Sequence, residues 1–119
     1  MRVVRFGQLL GYRVALGIAG SRTAGARLIS ALGAEDEDVR VTAGMLLTRA
    51  GKHAEPVLLA ALQRGENVPA VLEVLAGIGD SAVEEEVERF MHDEDPQIAQ
   101  AATHAYRIFQ FQRERSRNI

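Results

Sequence analysis

The sequence predicts an all-α fold, an α-solenoid in which helical hairpins stack side by side and a C-terminal helix caps the stack. Three observations predict it. Hydrophobic residues make up 47% of the 119 residues but aromatic residues only 5%, a composition that favours closely packed helices over a sheet sandwich. Apolar residues recur at spacings of three and four along the chain, which is the helical period. A glycine pattern also repeats at a fixed interval.

The repeated pattern is a glycine that lies four residues after a leucine and is followed by a polar residue. It occurs at Gly20, Gly51 and Gly79, so the intervals are 31 and 28 residues. Self-similarity at this period is typical of stacked hairpins, because one amphipathic hairpin cannot bury both of its apolar faces. We therefore predict a single domain over residues 1–119, with units at about 8–38, 39–66 and 67–97 and a half unit at about 98–115.

The first two units are in the closest register. A shift of 31 carries Leu16 onto Leu47 and Leu28 onto Leu59. In the second unit, a helix ends at Gly51, where we expect a left-handed cap. Its apolar stripe is Val39, Ala43, Leu46, Leu47 and Ala50. Pro56 then falls in the first turn of the second helix, where a missing N–H costs nothing.

The third unit repeats this arrangement around Gly79, and its second helix is predicted to carry Val83, Val87, Phe90 and Met91. The half unit opens with Ile98 and lacks the glycine, so seven helices are expected in all. Short links rich in acidic residues precede the later units, and we expect their carboxylates to cap the helices that follow.

A family resemblance rests on the second unit. The run Asp38-Val39-Arg40, with Ala43, Leu47, Gly51 and Pro56 after it, resembles a HEAT-type repeat. More narrowly, it is similar to the short bacterial and archaeal HEAT-like repeats that are also found in phycobilin lyases. The resemblance covers about residues 8–108 and implies a right-handed solenoid of three HEAT-like hairpins whose second helices line a concave face. Asn67 departs from the pattern, because an aliphatic residue is expected at the head of the third unit.

Charge is distributed unevenly around a net value of −2. Residues 1–34 carry five arginines and no acidic residue, residues 35–95 carry fifteen acidic residues against five basic ones, and residues 96–119 carry four arginines against Glu114. The absence of cysteine excludes disulfides and thiolate chemistry. No apolar run is long enough to span a bilayer, and Arg13 interrupts the apolar stretch near the N-terminus. We therefore expect a cytoplasmic protein that has no signal peptide and does not associate with a membrane.

The charge pattern and the resemblance together predict a non-catalytic scaffold or adaptor that binds another protein on the second-helix face. This face would be basic at one end and acidic at the other, so it would steer and orient a partner whose charges run in the opposite order. The predicted partner-binding residues are Arg22, Arg27, Gln63, Arg64, Glu84, Glu85 and Glu88. We interpret Arg40, which follows an acidic link, as a structural residue that pairs with Asp36, Asp38 or a carboxylate of a neighbouring link.

The C-terminal helix is predicted to cap the stack, with Tyr106 and Phe109 packed back onto the third unit. The alternative is an incompletely capped end in which Phe109 and Phe111 serve end-on association, so a monomer or a weak end-on dimer is expected. We predict no catalytic residue, cofactor or metal site, because no nucleophile–base arrangement, phosphate-binding glycine loop or convergent ligand set stands out.

Two alternatives stay open. One is an accessory subunit of an enzyme resembling the phycobilin lyases, and the other is weak nucleic-acid binding through the basic N-terminal end. The partner's identity, and whether the chain is a whole protein or part of a longer array, also stay open.

Overall fold

The structure is a computed structural model that describes residues 22–117. The predicted first helix of the first unit and its turn at Gly20 lie outside these residues. All regular structure within them is helical, which confirms the all-α prediction for this part of the chain. The α-helices are α1 (Arg22–Ala31), α2 (Glu37–Ala50), α3 (Glu55–Arg64), α4 (Val68–Ile78), α5 (Glu84–Glu88) and α6 (Pro96–Arg117). Two 3₁₀ turns, Gly51–Ala54 and Ser81–Val83, precede α3 and α5.

The start of α2 follows from its acidic link. Oδ1 of Asp36 accepts a hydrogen bond from the backbone N–H of Asp38 at 2.9 Å, so the carboxylate caps the helix as predicted. Asp95 does the same for α6, where its Oδ1 accepts from the N–H of Gln97 at 2.9 Å. These carboxylates satisfy N–H groups that have no partner inside the helix, and they interact favourably with its dipole.

The two predicted hairpin turns in the described residues have the positive φ angles that favour glycine. Gly79 ends α4 in the left-handed region, with φ 72° and ψ 20°, and its N–H donates to the carbonyl of Leu75. Gly51 ends α2 with φ 61°, but its ψ of −132° places it outside the left-handed helical region that we predicted. Gly51 instead leads into a 3₁₀ turn, and its conformation is one that residues with a Cβ rarely adopt.

Contacts between the helices join neighbours and next neighbours along the chain. The contacts α2–α4 and α4–α6 link the first helices of successive predicted units, and α1–α3 links two second helices. The pairs α1–α2, α3–α4 and α5–α6 connect the two sets of helices across the links between units. The most extensive contact is between α4 and α6.

One apolar core runs through these contacts. Its largest fully buried side chains are Phe109, Leu28, Ile29, Leu47, Leu58, Leu72, Leu75, Val71 and Val87. No polar or charged residue of residues 22–117 falls in the buried class. The small residues Ala43, Ala61, Ala102 and Ala105 are also fully buried, and Gly25 brings α1 close to α3, since a Cβ there would lie 2.7 Å from Cγ1 of Val57.

The second helix of the third unit is much shorter than predicted. α5 ends at Glu88, and Phe90 and Met91 lie in turns that follow it, each half-buried against the core. Their N–H groups bond to carbonyls three residues back, at 3.0 and 3.1 Å. Like charges at i, i+3 and i+4 destabilise a helix, and α5 has such pairs in Glu84–Glu88 and Glu85–Glu88, so its glutamates do not favour a long helix.

Among the helices of residues 22–117, none is both long enough and apolar enough to cross a bilayer.

Candidate functional site

The predicted partner-binding residues lie on α1, α3 and α5, the second helices of the predicted units. Arg27, Gln63 and Arg64 are exposed, whereas the side chain of Arg22 is outside the described part of the structure. Arg64 donates from Nε and Nη2 to Oε1 of Glu66, at 3.1 and 2.6 Å. An exposed ion pair of this kind contributes about 1 kcal/mol or less, so a partner's carboxylate could replace Glu66 at low cost.

The predicted acidic end is partly used within the chain. Oε1 of Glu84 accepts a hydrogen bond from Nη2 of Arg113 on α6 at 2.5 Å, and the Glu84 side chain is only 16% exposed. Glu84 therefore connects α5 to α6 and is not the freely available contact that we predicted. Glu85 and Glu88 are exposed on α5, and these two remain predicted partner contacts.

The two phenylalanines predicted for end-on association differ in exposure. Phe109 is fully buried in the core, as expected for a helix that packs back onto the preceding helices, so it is not available for the end-on association that was the alternative. The reason lies in the helix period, which turns Phe109 towards the same side of α6 as the buried Ala102 and Ala105. Phe111, two residues further, is 61% exposed.

An open groove between α2 and α4, here called the α2/α4 groove, holds exposed apolar side chains that the sequence analysis missed. Val41 is 55% and Met45 is 49% exposed, and both line it. They are two of the three large apolar side chains that are exposed within residues 22–117. Gly44, without a side chain, and Val74 on α4 complete the apolar lining of a space of about 370 Å³.

Charged side chains border the α2/α4 groove. Arg49 lies one turn after Met45 and is exposed, and its guanidinium makes no hydrogen bond or ion pair with any residue that the structure describes. Arg40 lines the groove too, and its Nη1 donates to the carbonyls of Ala34 and Glu35 at 2.7 and 2.9 Å. Arg40 thus holds the link before α2 through backbone carbonyls, while its positive charge stays at the groove.

Glu73 of α4 lies on the opposite wall of the α2/α4 groove, and it also lines a second groove. Oε2 of Glu73 lies 3.3 Å from Nδ1 of His104 on α6. Both residues line a space of about 600 Å³ between α4 and α6, together with Pro69, Gln97 and Gln100. The exposed surface along α2, α4 and α6 therefore changes from apolar at Val41 and Met45 to polar at His104.

A pair of carboxyl groups joins the two hairpin turns. Burial, followed by a hydrogen bond and charge repulsion from Asp80, raises the pKa of Glu55 to about 7, although Lys52 opposes this rise. The pKa of Asp80 is lowered because its carboxylate accepts a hydrogen bond from the N–H of Ala82 and another from Glu55. Below about pH 7, Glu55 therefore holds its proton and donates to ionised Asp80. The Oε2 atom of Glu55 is buried and has no hydrogen-bond partner among the residues that the structure describes.

The signal for the α2/α4 groove was present in the sequence. Val41 and Met45 are four residues apart, so they share one face of α2. That face does not coincide with the stripe of Val39, Ala43 and Leu46, which is buried. Apolar residues on a second face of an amphipathic helix indicate either another packing neighbour or an exposed patch, and sequence alone does not separate these cases.

Residues 22–117 contain no group of three or more His, Cys, Asp or Glu side chains placed to hold a metal ion. Comparison of the chain with protein-family models, with curated proteins and with solved structures gives no match.

Proposed function

We propose that the protein is a non-catalytic protein-interaction module, built as a right-handed α-solenoid of HEAT-like hairpins with α6 as its cap. The contacts α2–α4–α6 and α1–α3 support this architecture, because stacked hairpins bring first helices against first helices and second against second. The positive φ angles at Gly51 and Gly79 support hairpin turns at the repeated positions.

The observation that carries the function is the exposed apolar pair in the α2/α4 groove. Val41 and Met45 lie one helical turn apart, and each exposes about half of its surface. Neighbouring exposed apolar side chains in a groove with a polar border are typical of protein-interaction sites.

The groove is a better-supported surface than the second-helix residues proposed from the sequence. On the second helices, Glu84 is only 16% exposed and is paired with Arg113, and the other predicted contacts whose side chains the structure describes are exposed polar or charged groups. Exposed charges contribute more to the orientation and rate of association than to affinity. We therefore place the main contact at Val41 and Met45, with Glu85 and Glu88 as a second surface to be tested beside it.

A cross-linking and co-purification experiment tests this function. The full chain is cross-linked in a lysate of its source organism, in parallel with Met45→Glu, with the double variant Glu85→Lys/Glu88→Lys, and with the control Gln110→Glu. Gln110 is exposed on α6 and is not among the residues that line the α2/α4 groove, so this control adds the same charge elsewhere.

We expect a specific partner to be recovered with the wild type and with Gln110→Glu, and recovery to fall at least about tenfold with Met45→Glu, because a charge in an apolar contact is costly to desolvate. Loss with the double glutamate variant instead would move the interface to α5. Recovery of no specific protein with any form would contradict the proposed function.

The two alternatives remain predictions from the sequence. Nucleic-acid binding would use the basic N-terminal end formed by Arg2, Arg5, Arg13, Arg22 and Arg27, of which the first three lie outside the described residues. A mobility shift that weakens with salt would support it. An accessory role in a lyase-like enzyme would be revealed by a shifted absorbance band when the protein is mixed with bilins.

A further inference from the structure

We infer that the α2/α4 groove binds an amphipathic segment of a partner protein in which acidic side chains flank the apolar ones. This inference rests on the proposed function and specifies the chemistry of the partner. Apolar contact at Val41 and Met45 would supply the anchor, and arginines at the border would select carboxylates.

The apolar part of the groove suits the side chains of a peptide segment. Val41 and Met45 present two exposed apolar groups along α2, and Gly44 between them leaves room for a close approach. Methionine adapts its shape to different apolar partners because its side chain is unbranched and flexible. The space of about 370 Å³ is open, so it fits side chains that project from a segment lying across it.

The charges around the groove select an acidic segment. Arg40 and Arg49 stand on the α2 side, and Arg107 lies beside His104 further along the same surface, on α6. The acidic residue that lines the groove is Glu73, and His104 lies within ion-pair distance of it. The border is therefore positive overall, and carboxylates on the partner would complement it.

The same charges argue against two other occupants. In a symmetric dimer two copies of the groove would face each other, and because two arginines and one glutamate line each copy, two surfaces of net positive charge would meet. The N-terminal part of this chain cannot provide the complement either, because residues 1–34 contain five arginines and no acidic residue. An acidic segment of a different protein fits better than both.

Two synthetic peptides test the charge preference. Both have ~18 residues and the same helical stripe of leucines, long enough to form a helix on binding. One carries glutamates and the other lysines on the flanking positions. Fluorescence anisotropy with the full chain at low salt should show at least tenfold tighter binding of the glutamate peptide, and added salt should reduce this preference because the arginines are exposed.

Variants of the full chain locate the site. Arg49→Glu should reverse the preference between the peptides, and Met45→Glu should weaken the leucine-dependent binding of both. The matched control is Arg89→Glu, which reverses an exposed arginine beyond the end of α5 and should change neither affinity. Backbone amide shifts on adding the glutamate peptide should be largest around Val41, Met45 and Val74.

Several results would overturn the inference. These are equal affinity for the two peptides, no binding of either at millimolar concentration, or the largest shifts away from the groove. A dimer of the chain that Met45→Glu dissociates would assign the groove to a second copy. A markedly lower Tm of the free Met45→Glu variant would show that the chain itself covers Met45. If a partner is recovered equally with wild type and Met45→Glu, the interaction function stands and this inference fails.

Discussion

At the scale of single residues, Asn67 connects parts of the chain that are far apart in sequence. Its Nδ2 donates to the carbonyl of Ile29 at 3.0 Å, across 38 positions. Its own φ of 49° lies in the left-handed region, which asparagine tolerates better than most residues. Gly33 makes room for this contact, because a Cβ there would lie 2.6 Å from Oδ1 of Asn67. An aliphatic residue, as the repeat pattern expects, could make neither adjustment.

Substitutions of Asn67 should separate the hydrogen bond from the backbone conformation. We expect Asn67→Gly to lower the free energy of unfolding by about 1 kcal/mol, because only the bond to Ile29 is lost. Asn67→Ala should cost more, about 2 kcal/mol, because alanine also disfavours positive φ. Urea denaturation followed by circular dichroism measures both values.

Asn67→Asp provides a matched control for the same site. It keeps the size and the conformational preference of asparagine but replaces the donor with a carboxylate that faces a carbonyl oxygen. Its loss of stability should therefore equal or exceed that of Asn67→Gly. If all three variants are as stable as the wild type, the contact between Asn67 and Ile29 does not stabilise the fold.

At the scale of helices, α6 covers one side of the molecule. It makes the most extensive helix contact, with α4, and also contacts α5. Phe109 inserts fully into the core from its middle, whereas the last turns carry exposed charged residues such as Arg115 and Arg117. α6 thus buries one face against α4 and α5 and exposes the other, as an amphipathic helix on the surface of a core does.

A pair of phenylalanine substitutions tests this role of α6. Phe109→Ala should lower the free energy of unfolding by about 3–5 kcal/mol, since it removes a fully buried ring and leaves a cavity. Phe111→Ala, two residues away and exposed, should change it by about 0.5 kcal/mol or less. Thermal or urea unfolding gives both numbers, and similar effects of the two substitutions would contradict the orientation of α6.

The helices themselves were largely predictable, and their contacts were not. Apolar period, glycine and proline positions and acidic links are local signals, and they located α1, α2, α3, α4 and α6. The helix that contains α5 was predicted too long, because its apolar stripe continues to Met91, past the end of α5 at Glu88. The exposure of Val41 and Met45, the contact of Asn67 with Ile29 and the pairing of Glu84 with Arg113 depend on which helices meet, and sequence periodicity does not determine this.

At the scale of the whole molecule, the contact between Glu55 and Asp80 joins neighbouring units. Glu55 begins α3, just after the turn at Gly51, and Asp80 follows the turn at Gly79. The two repeated hairpin turns are thus linked by a carboxyl–carboxylate hydrogen bond that exists only while Glu55 holds its proton. Lys52 also acts on both groups, since it lowers the pKa of each.

This pair makes global stability depend on pH in a defined window. The pKa of Glu55 is about 7 in the folded chain and 4.5 in its ordinary state. Between these values the folded state binds more protons than the unfolded state, so stability falls as pH rises from about 4.5 to about 7. The lowered pKa of Asp80 acts in the opposite direction, and only at more acidic pH.

Replacing Glu55 with glutamine should remove most of this dependence. Glutamine can still donate to Asp80 but cannot ionise, so Glu55→Gln should be more stable than the wild type above pH 7, by on the order of 1 kcal/mol after allowance for solvent screening. Near pH 4.5 the two proteins should be similar. Glu85→Gln, at an exposed site on α5, should leave the pH profile unchanged. Urea denaturation from about pH 4.5 to above pH 7 measures the free energy of unfolding of all three proteins. If the free energies of the wild type and Glu55→Gln change with pH in the same way, the proton on Glu55 does not link the two turns.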